Sequence, residues 1–215
     1  MNIANYIDHT ALKADCTPED VKQICKEALQ FGFRAVCIPP YYVSMASRML
    51  DETSVHVATV IGFPMGYSTT FAKVEEIKRA ILDGVDEVDI VVNLAAVKSK
   101  NWNYIKSDME STTRTAQMRG KVVKAILEVS LLNREEIEKL CEICNQVEVD
   151  FVKTSTGFHN SRVDAEIVRL LREKLAPSIK VKAFGGISSK EDAQDLISAG
   201  ADRLGSSASI AIVSG

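Results

Sequence analysis

Residues 150–160 read DFVKTSTGFHN. The run opens as a short strand, DFVKT (150–154), behind an amphipathic helical pattern, REEIEKLCEICNQV (134–147), and closes on hydroxyls and Gly157. An apolar strand set between helical patterns is one step of a βαβ unit, whose parallel strands are buried on both faces. Lys153 is then out of place, because it ends a buried element with a cation. The same alternation runs outward in both directions. NYID (5–8), AVCI (35–38), HVATVI (56–61), EVDIVV (87–92), VVKAILEV (122–129), IKVKA (179–183) and DRLGS (202–206) are the other strand candidates, and no hairpin turn joins them. Eight such strands predict an α/β protein, a (β/α)8 TIM barrel with a parallel eight-stranded barrel. A doubly wound open sheet competes, but its G-x-G-x-x-G fingerprint is absent.

The helices between the strands carry their own start signals. Thr17 precedes Pro18 and two acids, Asn133 precedes Glu135 and Glu136, and Ser188/Ser189 opens a helix that stops at Gly200. No linker, low-complexity run or charge block interrupts the order, so residues 1–215 are expected to form a single domain. With 46% hydrophobic and 26% charged residues the composition is that of a globular chain with a sizeable core. A net charge of −3 gives no electrostatic footprint for nucleic acid or an anionic membrane, so neither is an expected partner. The opening MNIANYIDHT has neither a basic start nor an apolar run, and no stretch approaches the roughly 18 apolar residues of a membrane span. Five cysteines in such a chain read as reduced thiols of a cytoplasmic protein. Cys141 and Cys144 form a C-x-x-C inside a helical pattern without a second pair at ligand spacing; the reading is buried and unreactive, with no metal site. His9, His56 and His159 are scattered and read as structural.

In a barrel of this kind the chemistry lies at the C-terminal ends of the strands. Lys153 therefore has functional meaning only if other polar groups gather at the same ends. Asp8 closes the first strand candidate, Asp89 lies in DEVDIVVN (86–93), and Lys182 falls near the end of the seventh strand. Lys124 has a parity that also allows an inward direction, while Lys180 begins its strand and belongs at the opposite end. Adjacent strands lie about 4.8 Å apart, which brings Lys153 and Lys182 together. Two ammonium groups roughly 4 Å apart repel by about 4 kcal/mol at an effective dielectric of about 20. That is about three pKa units, and desolvation acts the same way. A neutral, inward-pointing amine is what attack on a carbonyl needs, and its product is a Schiff base. Spacing alone leaves open which lysine is the nucleophile.

Gly185-Gly186 after the seventh strand and LGSSAS (204–209) after the eighth place glycine and serine where barrels bind phosphate. These two loops point to a phosphorylated ligand.

IDHTAL, VCIPP, VATVIGFPMG, DEVDIVVN, FVKTSTGF, VKAFGGI and ADRLGSS follow one another in the order found in the deoxyribose-phosphate aldolase family, which the chain resembles from Tyr6 to Ile212. The resemblance implies a class I, metal-independent aldolase, without a cofactor, that reversibly cleaves 2-deoxy-D-ribose 5-phosphate to D-glyceraldehyde 3-phosphate and acetaldehyde. It further implies that Lys153 forms the Schiff base, that Lys182 lowers its pKa, and that Asp89 serves the proton relay through a water. Asp8 would be a polar substrate-binding residue of the pocket, and Gly157, Gly185, Gly186 and Ser207 would surround the phosphate. A homodimer is implied as well. Two departures stand out: Ala208 replaces a serine usual after the last strand, and FHNSR (158–162) replaces a glycine-rich loop. Two other readings stay open on the residues alone, a transaldolase-type Schiff-base barrel and a catalytically silent phosphate-binding barrel.

Overall fold

The computed structural model describes residues 2–159 and 162–215. Eight parallel strands close into a barrel in sequence order: β1 (Ile7–Thr10), β2 (Ala35–Ile38), β3 (His56–Ile61), β4 (Glu87–Val91), β5 (Val122–Ile126), β6 (Phe151–Lys153), β7 (Lys180–Phe184) and β8 (Arg203–Ser206). β8 pairs with β1, which completes the ring. The helices are α1 (Pro18–Phe31), α2 (Val43–Met49), α3 (Thr70–Leu82), α4 (Leu94–Lys98), α5 (Trp102–Gln117), α6 (Arg134–Val147), α7 (Ala165–Lys174), α8 (Lys190–Ser198) and α9 (Ser209–Ser214). The expected (β/α)8 barrel is the fold. None of the helices among the described residues is long and apolar enough to cross a membrane.

Local chemistry starts the helices where the sequence marks them. Thr17 with Asp20, Asn133 with Glu136 and Ser189 with Asp192 each form a reciprocal capping box, satisfying amides that the first turn cannot. Gly32 ends α1 in the left-handed region, φ 68°. α6 buries Cys141 and Cys144 against the barrel, and burial pushes the Cys141 thiol up to about 12.

Strand parity divides the buried residues into two populations. Val36, Val57, Val88, Val123, Val152, Val181 and Leu204 face outward and join the helices in one extended apolar core. Inside the barrel a smaller cluster of Cys37, Ala58 and Val60 lines the β2–β3 side. On β1 and β4–β8 the interior also holds buried charged side chains, with Val91, Ile126, Phe151 and Phe184 on the same inward face.

Two boundaries differ from expectation for identifiable reasons. Ile3–Tyr6 winds into a 3-10 turn capped by Asn2, so β1 begins at Ile7 and Asp8 is its second residue, not its last. β5 stops at Ile126 because Glu128 takes a left-handed conformation, φ 58° and ψ 60°. A non-glycine residue held there stores strain, and its buried carboxylate accepts hydrogen bonds from the Thr156 amide and hydroxyl just beyond β6.

The end of β4 is pinned from outside the barrel. Lys73 of α3, fully buried, donates to the Val91 carbonyl at 2.9 Å and to Asp108 of α5 at 2.7 Å. Removing one partner of a buried ion pair strands the other charge. Asp108→Ala is therefore expected to lower unfolding free energy by about 3–5 kcal/mol in urea denaturation; a loss below about 1 kcal/mol would show that the pair does not hold the helices to β4.

Candidate active site

Registry places the ionisable side chains opposite one another. Lys153 pairs with Lys182, Lys182 with Arg203, and Asp89 with Lys124. All point inward, and the Asp89 carboxylate is their common partner. Its Oδ1 lies 2.6 Å from Lys124 Nζ; its Oδ2 lies 3.0 Å from Lys153 Nζ and 2.9 Å from Lys182 Nζ. Lys182 also contacts Asp8 at 2.5 Å, Lys124 contacts Glu87 at 2.7 Å, and Arg203 closes the floor against Asp8 and Glu87. His56, partly exposed at the start of β3, meets Glu87 at 2.8 Å. Lys153, Lys182, Lys124, Asp8, Glu87 and Asp89 have no solvent exposure, and Arg203 only 6%.

This inventory holds four bases and three carboxylates, so the buried cluster carries one positive charge too many when every one of these groups is ionised. The excess disappears when one base is neutral. Lys153 is the base whose pKa is lowered: burial is the main cause, the Asp89 carboxylate opposes it, and the Lys182 cation adds to the lowering. Burial also presses on Lys182, but Asp8 and Asp89 more than offset it and hold this amine above its ordinary value. Lys124 is held up in the same way by Asp89 and Glu87 against its burial. Burial tends to raise Asp89, yet Lys124, Lys182 and Lys153 keep it well below the usual carboxylate range. Repulsion between the two lysines is thus a secondary cause of the lowering, behind desolvation.

The other expected site residues fall in two places. Gly157, Gly185, Gly186 and Ser207 follow β6, β7 and β8, three neighbouring strands, at the barrel's C-terminal rim. The three glycines have φ of 90°, 121° and 67°, conformations that a side chain would strain. Ser207 is exposed, and the Ala208 amide next to it donates to Ser206 Oγ at 2.9 Å. Asp8 is not at this rim. It lies below the lysines with its oxygens toward Lys182 and Arg203, which corrects its expected place at a strand end. Of the residues that sequence reasoning missed, Lys124 had the right parity, and Glu87 precedes Asp89 by two residues on the same face. Arg203 and Glu128 gave no sequence signal of their own. A cavity of about 580 Å³ opens at the opposite end of the barrel, lined by Arg34, Phe151, Lys180 and Arg203 among others, and contains neither Lys153 nor Asp89. No group of three or more His, Cys, Asp or Glu side chains among the described residues is placed to hold a metal ion.

A closed parallel barrel with reactive groups gathered inside it, beneath the C-terminal strand ends, is the frame of a barrel enzyme. The chain belongs to the DeoC/LacD family of aldolases, which residues 2–210 match, and is a carbon–carbon lyase. It is 48% identical over 215 residues to the deoxyribose-phosphate aldolase of Clostridium novyi (strain NT), covering 100% of this chain and 96% of that protein. With the deoxyribose-phosphate aldolase of Thermococcus kodakarensis it shares 46% identity over 215 residues, 99% of this chain and 96% of the other. The tetrameric deoxyribose phosphate aldolase from Aeropyrum pernix superposes with a TM-score of 0.92 at 32% identity, covering 99% of this chain and 89% of that one.

The lowered pKa has a definite sign. The neutral amine of Lys153 is present above its folded pKa and is lost as pH falls through it. Lys182→Leu removes a cation and leaves Asp89 Oδ2 to Lys153 alone, so the amine's pKa rises. The acid limb of the pH profile for aldol cleavage is expected to move to higher pH, with activity at neutral pH down by about tenfold or more, one pKa unit being tenfold in neutral amine. Wild-type rate with an unshifted limb would refute this account.

Proposed function

We propose that the protein reversibly cleaves 2-deoxy-D-ribose 5-phosphate to D-glyceraldehyde 3-phosphate and acetaldehyde through a Schiff base on Lys153. One observation carries the reading: Lys153 and Lys182 share the Asp89 carboxylate, and Lys153 is the one whose proton is loosely held. The neutral amine attacks C1 of the open-chain sugar, the carbonyl oxygen leaves as water, and a protonated imine forms. Loss of the proton from the C3 hydroxyl breaks the C2–C3 bond. Its electron pair flows into the imine, C3 departs as the aldehyde of glyceraldehyde 3-phosphate, and an enamine of acetaldehyde remains on Lys153. Protonation of that enamine at carbon and hydrolysis return the free amine and acetaldehyde.

In this scheme the protons pass by Asp89, through a water, with Lys182 as the ammonium partner that keeps its charge. Asp8 and Lys124 act through these groups: Asp8 holds Lys182 protonated, and Lys124 holds Asp89 ionised. Gly157, Gly185, Gly186 and Ser207 bind the phosphate chiefly through backbone amides, a mode that tolerates Ala208. The same reading takes residues 1–215 as one catalytic domain of a cytoplasmic enzyme that assembles as a homodimer.

Incubation with acetaldehyde and sodium borohydride is expected to add a single ethyl group, located on Lys153 by peptide mass spectrometry. An adduct confined to another lysine would overturn the assignment.

A further inference from the structure

Phe184 ends β7 two residues beyond Lys182 and on the same inward face. Its ring lies over the amine of Lys153, with Nζ 4.4 Å from the ring centroid. Two glycines make room for it. A Cβ at Gly157 would come within 2.5 Å of ring Cε1, and a Cβ at Gly205 within 2.3 Å of Cδ2. The ring therefore spans from the loop behind β6 to the strand β8, on a strand position two residues nearer the C-terminal rim than Lys182, the residue opposite Lys153. Lys153 has no solvent exposure beneath it. The backbone of Phe184 is tied down: its amide donates to Thr154 Oγ1 at 3.0 Å, and the Thr154 hydroxyl donates to its carbonyl at 3.0 Å. The movable part is the side chain.

We propose that Phe184 is the specificity-determining gate of Lys153, an apolar cap that swings aside to admit a carbonyl group and limits the bulk of the aldehyde that can follow it. The inference rests on Lys153 being the imine-forming amine. With the cap closed, the ring excludes water from a nucleophile whose low basicity depends on being dry. With the cap open, the space it vacates is apolar and narrow, walled by Gly157 and Gly205. A two-carbon aldehyde carries only a methyl group into that space, whereas a four-carbon aldehyde brings a chain that competes with the ring.

The test uses the full chain and two probes, acetaldehyde and butanal, each with sodium borohydride. In each reaction a C–N bond forms, the carbonyl oxygen leaves as water, and hydride reduces the imine, so Lys153 gains an ethyl or a butyl group. Rates of labelling at Lys153 are followed by mass spectrometry for the wild type, Phe184→Ala and Phe184→Leu. The butanal-to-acetaldehyde rate ratio is expected to rise by at least about tenfold in Phe184→Ala, with Phe184→Leu between the two, since displacing two methylenes sets the discrimination. A ring that only supports the fold would change both rates together and leave the ratio alone, so ratios agreeing within about twofold across the three proteins overturn the proposal. If circular dichroism finds Phe184→Ala unfolded, Phe184→Leu decides by the same criterion. Absence of any Lys153 adduct in all three folded proteins would instead remove the imine reading, and the gate with it.

Discussion

One carboxylate facing three lysine side chains is the constraint on which the interior depends. Asp89 spends one oxygen on Lys124 and the other on Lys153 and Lys182. Without it, lysines on three consecutive strands would face one another fully buried, where any two charged amines roughly 4 Å apart would repel by about 4 kcal/mol. The demand runs the other way too. Asp89 and Lys182 are 93 residues apart, and Asp8 and Arg203 are 195 apart, so these contacts exist only once the barrel is closed. Closure assembles the ionic cluster, and the cluster holds β1, β4, β5, β6, β7 and β8 to a common level.

The barrel's interior is divided between two kinds of surface. Cys37, Ala58 and Val60 make the β2–β3 side small and apolar, and the Cys37 thiol reaches Asp89 only at 4.0 Å. Burial, reinforced by the Asp89 charge, pushes this thiol up, so it adds no anion to the cluster. The opposite side carries the charges and, above them, the loops behind β6, β7 and β8. Glu128 joins the two levels. It leaves β5 in a strained backbone conformation and fixes Thr156, so the loop that carries Gly157 is positioned by the strand next to it.

Much of this was legible in the sequence. β2 and β3 match their expected bounds, β4 falls one residue short, and three capping boxes sit where short polar residues announce them. These features depend on neighbours within a few positions. The pairing of Lys153 with Lys182 was readable because one ends its strand and the other was expected near the end of the next; in the structure Lys182 and Asp89 are instead the middle residues of β7 and β4, and motif resemblance pointed to Asp89. What escaped depends on distant residues. Lys124 shows the right parity, but parity gives a direction only when the partner strand is known. Arg203 looks like a surface residue opening a strand until Asp8 and Glu87 are placed beside it. Phe184 was hidden inside a motif read for its lysine and glycines. The shift of β1 came from a 3-10 turn too short to leave a periodic pattern.

The surplus of bases over acids inside the barrel also bears on how the protein responds to pH as a folded object. A buried base with a lowered pKa binds fewer protons in the native state than in the unfolded chain. Stability therefore rises with pH between the depressed value of Lys153 and the ordinary 10.5. The paired carboxylates Asp8, Glu87 and Asp89, all held low, act in the other range: their stabilisation is fully present above their ordinary values, neutrality included, and is lost as pH falls through their native values. Below the range set by its own two values, Lys153 is thus a net burden on the fold, because folding loosens its hold on the proton. An isosteric apolar residue in its place would remove this burden, so the lowered basicity of the amine is held in place at the expense of folding energy.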